Sequence, residues 1–94
     1  MRIEDVRKEI DEVDREIVKL IARRQELAGK IARLKFTGGL PIHDTERTKA
    51  VMDGIFNNAV EAKIDPVAVQ NIFTILIAMS EERQRECQGD GNLP

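Results

Sequence analysis

Apolar residues recur through the first third of the chain at alternating steps of three and four: Ile3, Val6, Ile10, Val13, Ile17, Leu20, Leu27, Ile31 and Leu34. Arg24 stands in the same series, where the pattern reserves a place for an apolar side chain. This heptad spacing predicts one long helix from Met1 to about Phe36 with a narrow apolar seam. Gly29 is the sole helix breaker inside it, and a helix tolerates one glycine at a cost of about 1 kcal/mol. At about 1.5 Å of rise per residue the helix is roughly 50 Å long, whereas a compact domain of this size has a radius of gyration near ~13 Å. The remaining chain is too short to wrap it, so a second chain is expected to cover part of the seam.

Thr37-Gly38-Gly39 ends the pattern, since paired glycines supply the positive φ of a helix exit. Leu40-Pro41-Ile42-His43 reads as an extended connector, because the residue before proline avoids the helical region. Asp44 is placed to cap a second helix reaching Ala62, with Val51, Ile55 and Ala59, flanked by Met52 and Phe56, as its buried stripe. Asp65 and Pro66 open a third helix over 66–88, expected to bury Val69, Ile72, Phe73, Leu76 and Ile77. Ser80, Gln84 and Cys87 continue that face with polar groups; they mark either a helix emerging into solvent or hydrogen-bonding groups of a pocket. Residues 89–94 read as a frayed tail. The expected architecture is all-α: one domain over 1–94, with three helices, one long and two shorter, closed by dimerisation.

Composition narrows the function. With 15 basic and 17 acidic residues interspersed, the chain lacks the basic stripe that nucleic acid or a membrane surface would select. No apolar run has transmembrane length, and no signal-like block opens the sequence. The single Cys87 cannot form a disulfide within the chain, which fits a cytoplasmic protein. One Cys and one His leave no zinc constellation, so neither metal nor cofactor is expected.

Two cations bring in chemistry. Lys35 lies three helical turns beyond Arg24 and points nearly the same way. Such a pair either snorkels to solvent, the usual outcome on an average helix, or faces an anion inside a bundle.

The runs VRKEIDEVDREIVKLIARRQELAGKIARLK, LPIHDTER and the third-helix stretch ending SEERQ decide the matter. Together they resemble the all-helical class of chorismate mutases over nearly the whole chain, from Val6 to about Gln84. The resemblance implies an intertwined homodimer with antiparallel long helices. Each site would borrow Arg7 from the partner and use its own Arg24, Lys35, Arg47, Ser80 and Gln84, with Asp44 acting mainly through its backbone. Two long helices crossing near residues 18 to 19 would set Arg7 of one level with about residue 30 of the other, between Arg24 and Lys35. One position departs from the family: Thr48 stands where a glutamate usually accepts a hydrogen bond from the substrate's ring hydroxyl. A threonine can accept that bond without the charge, so the bond should be weaker.

The implied reaction rearranges chorismate to prephenate within one molecule and needs no nucleophile–base pair. It needs a folded substrate and stabilisation of negative charge on the ether oxygen. Following the resemblance, Arg7 and Arg24 would grip the carboxylates and Lys35 and Gln84 would donate to the ether oxygen. Ser80 would support a carboxylate, and Arg47 would act through water or at one remove. Arg23 is expected in solvent, His43 on the surface, and Cys87 as a small side chain without redox role. Two other readings stay open: a lyase on the same scaffold that releases pyruvate from isochorismate, kept alive by Thr48, and a helical dimerisation module without catalysis.

Overall fold

The computed structural model describes residues 1–89, which form three helices: α1 (Ile3–Gly38), α2 (Thr45–Glu61) and α3 (Pro66–Gly89). Residues 90–94 of the expected tail lie outside the described residues, among which there is no strand. Each boundary has a local cause. Gly39, at φ 66°, is the left-handed exit of α1, and the Leu40 amide beyond it donates to the Lys35 carbonyl at 2.7 Å. Gly38 itself stays helical. Asp44 caps α2 by accepting the Arg47 amide at 3.0 Å, and Asp65 caps α3 by accepting the amides of Val67 and Ala68. The exit of α2 turns through Lys63, the one non-glycine residue with positive φ (61°) among the described residues.

The molecule is 55 Å long and has a radius of gyration of 16.5 Å, because α1 spans its full length. α3 packs on both other helices, whereas α1 and α2 have no Cα atoms within 8 Å of each other. Cross-helix contacts advance together along α1 and α3 (Arg24 with Leu76, Gln25 with Met79, Ala32 with Gln88), so these two helices run parallel.

The face that α1 turns to α3 is not the heptad seam. Ala28, Gly29 and Ala32 are buried there, and an added Cβ on Gly29 would lie 3.7 Å from the Cys87 sulfur. Small side chains let the two backbones approach closely. The seam beside them stays open: Ile10, Val13, Ile17, Leu20 and Leu34 are all about half exposed or more within the single chain. No large side chain is fully buried anywhere among the described residues. On α3, Val69, Phe73, Leu76 and Ile77 are partly buried as expected. Ile72 is not: at 56% exposed it points away with Ile75, because α3 is wedged between its neighbours along the line through Phe73, Ile77, Gln84 and Cys87.

Candidate active site

All three helices meet around a cavity of about 280 Å³. Arg24, Ala28, Ile31 and Lys35 repeat at helical spacing along one side of α1, with Leu27 beside them. Ile77, Ser80, Glu81 and Gln84 do the same on α3. Ile42 of the connector, the cap Asp44, and Arg47, Thr48 and Val51 of α2 close the third side.

Polar groups are tied together across this cavity. The Lys35 ammonium donates to the Ile42 carbonyl at 2.5 Å and to Gln84 Oε1 at 2.9 Å. Gln84 Nε2 in turn donates to Ser80 Oγ at 3.0 Å. Gln84 is only 4% exposed, so the side chain that sequence alone allowed to be a solvated helix end is the most buried polar residue described. Its amide is oriented by the ammonium on one side and the hydroxyl on the other. Each keeps a buried dipole satisfied, as a polar group in such a place requires.

Arg24 does not snorkel outward. Its guanidinium donates to the Leu76 carbonyl at 3.2 Å and lies 5.9 Å from the Phe73 ring centre. Arg24, Lys35 and Arg47 give the cavity three cations against the carboxylates of Asp44 and Glu81. One Asp44 oxygen is engaged in capping α2. Glu81 meets His43 across the mouth of the cavity, with Oε1 and Nδ1 2.5 Å apart. The balance favours an anionic ligand. No group of His, Cys, Asp and Glu among the described residues is arranged to hold a metal ion.

The model of the type II chorismate mutases matches residues 6–85, which contain every lining residue of the cavity. The chain belongs to the type II chorismate mutase family. A chorismate mutase of Methanocaldococcus jannaschii is 39% identical over 85 residues, covering 90% of this chain and 86% of the relative. The T-protein of Haemophilus influenzae is 34% identical over 74% of this chain, which there spans 19% of the relative. A bifunctional chorismate mutase/prephenate dehydratase of Aquifex aeolicus is 40% identical over 56% of this chain and 15% of its own length.

Of the residues that the resemblance to chorismate mutases singles out, Arg24, Lys35, Asp44, Arg47, Thr48, Ser80 and Gln84 line this one cavity. Arg7 does not. It lies about 25 Å down the helix from Arg24 at the usual rise, exposed and paired with Glu4 at 2.6 Å. The cavity also holds groups that sequence reasoning passed over. Glu81 and the Ile42 carbonyl are the polar ones; Leu27, Ile31, Val51 and Ile77 are apolar. Glu81 was within reach of the pattern, standing one turn beyond Ile77 and next to Ser80. His43, expected on the surface, is 61% exposed, yet its ring is bound to that same Glu81.

Proposed function

We propose that this chain is a chorismate mutase that rearranges chorismate to prephenate in aromatic amino acid biosynthesis, working as a homodimer in the cytoplasm. The observation that carries the reading is the hydrogen-bonded array of Lys35, Gln84 and Ser80, converging with Arg24 on one cationic cavity in a member of this family.

In the reaction the ether C–O bond breaks as a C–C bond forms between the ends of the same molecule, and negative charge grows on the ether oxygen. No proton moves. Lys35 is the charged donor to that oxygen, and the N–H of Gln84 not given to Ser80 is the second. Both are held before substrate arrives, so little reorganisation is needed as charge develops. Arg24 takes one carboxylate with its forked donors, Ser80 supports it, and Arg47 acts through water. Asp44 holds the start of α2 and presents backbone groups there. Apolar Leu27, Ile31, Val51 and Ile77 favour the folded, compact form of the substrate and exclude water.

Arg7 comes from the second copy. The exposed seam of α1 is the surface that an antiparallel copy would cover. Crossing at the midpoint of α1, between residues 20 and 21, sets Arg7 level with residue 34 of the other helix, beside Lys35.

Purified protein mixed with chorismate and followed by NMR tests the reading. Prephenate forming far above the uncatalysed background is expected. A folded protein that leaves chorismate unchanged overturns it, and pyruvate released from isochorismate would assign the lyase reaction instead.

A further inference from the structure

We propose that Glu81 is the charged acceptor for the substrate's ring hydroxyl and that His43 is the residue that positions it. The inference rests on the reading of the cavity as a chorismate site and names the group that recognises one part of that substrate.

The argument begins with a carboxylate where it should do harm. A pocket for a dianion gains from Arg24, Lys35 and Arg47 and loses from each carboxylate in its wall. Two such groups are present. Asp44 is the cap of α2, with Oδ1 engaged by the Arg47 amide. Glu81 has no such local duty. Its side chain is only 19% exposed, and Oε1 is held by His43 Nδ1, reaching from the connector to α3. Oε2 has no hydrogen-bond partner among the described residues.

Repulsion of a dianion is offset when the carboxylate accepts a hydrogen bond from it. With both of its carboxyl groups ionised, chorismate has a single O–H donor, the ring hydroxyl. Thr48 lines the same cavity from α2, but its hydroxyl is neutral and makes the weaker acceptor. Glu81 therefore supplies from α3 the charge that α2 lacks. His43 fixes the carboxylate's rotamer by holding Oε1.

Steady-state kinetics of the wild type and four variants on chorismate, with folding checked by circular dichroism, test this. The hydroxyl is gripped alike in ground and transition states, so its loss acts on KM: Glu81→Ala is expected to raise KM about tenfold while kcat moves less than about twofold. Glu81→Gln keeps the shape and a neutral acceptor and is expected to raise KM about threefold. His43→Ala is expected to raise KM by a similar factor of about three, and to have no further effect in the Glu81→Ala background. A purely structural role of His43 would persist in that background. A folded Glu81→Ala protein whose KM falls or stays fixed overturns the proposal, leaving Glu81 as a repulsive charge alone. If the wild type neither binds nor converts chorismate, the functional reading falls and the hydroxyl role falls with it. If the wild type is active and only the Glu81 variants fail to respond, the functional reading stands.

Discussion

Gln84 shows how much of this site depends on single side chains. A buried amide with both ends bound is rigid, and the rigidity is inherited by Lys35, whose ammonium is held between Gln84 and the Ile42 carbonyl. Lys35→Ala should therefore lower kcat by roughly a hundredfold or more, on the scale seen when one oxyanion donor is removed. Its cost to stability should stay within about 1–3 kcal/mol, set by the Gln84 oxygen left unbound. Chorismate turnover and a thermal melt on the same sample check both. Gln84→Leu should do the reverse for Lys35, leaving the cation without its side-chain partner, and should lose turnover with less change in KM than in kcat. At this scale the sequence was readable wherever spacing alone aligned groups. Arg24 and Lys35 share a face of one helix, as do Ser80 and Gln84, and each pair follows from helical geometry. The place of Glu81 on that face was within reach of the same spacing, but its pairing with His43 was not, because the connector brings His43 to it from far away in the sequence. Burial of Gln84 was equally hidden, since it depends on how closely α1 and α3 approach.

Helices carry their own instructions here, and two positions keep a backbone cost that substitution should relieve. Gly29 is buried and helical, yet a Cβ there would meet the Cys87 sulfur at an ordinary van der Waals distance of 3.7 Å. Gly29→Ala should then stabilise the protein by about 0.5–1 kcal/mol through helix propensity and a less flexible unfolded chain. For a chain of this length such a gain moves the melting midpoint up by about 2–8 °C. Lys63 is the opposite case, an L residue in the left-handed region where glycine is at ease. Lys63→Gly should raise the midpoint by a similar or smaller amount, and a fall would show that the lysine side chain contributes more than its backbone costs. The caps and breakers at Gly39, Asp44 and Asp65 were plain in the sequence because each acts on its own neighbours. Which stripe of α1 meets α3 was not. The heptad advertised its apolar seam, while the contact inside the chain runs along Ala28, Gly29 and Ala32, whose value lies in being small. Ile72 was misplaced for the same reason, as a periodic stripe does not tell which neighbour it will face.

At the scale of the whole molecule, the single chain leaves most of the apolar seam of α1 exposed. On the proposed reading, a second copy covers the exposed apolar seam of α1 and brings Arg7 to the cationic cavity. Leu20→Glu, in the middle of the seam, is expected to yield monomers by sedimentation and to abolish turnover. Mixing Arg7→Ala with Arg24→Ala protein should recover activity through heterodimers in which one site carries neither lesion. Inactive heterodimers, after subunit exchange has been verified, would show that the sites are not shared. The length of α1 and its open seam were legible in the heptad spacing, because both follow from the period of the apolar residues. Another property follows from the lack of backbone approach between α1 and α2. Lys35 and Arg24 stand on α1, Ser80 and Gln84 on α3, and only Asp44, Arg47, Thr48 and Val51 come with α2. Cavity-facing residues of α2 can drift without touching the contact between α1 and α3. On the proposed roles, both donors to the ether oxygen, Lys35 and Gln84, stand on α1 and α3, so a lineage could reshape the α2 wall and keep how it acts on the reacting bond.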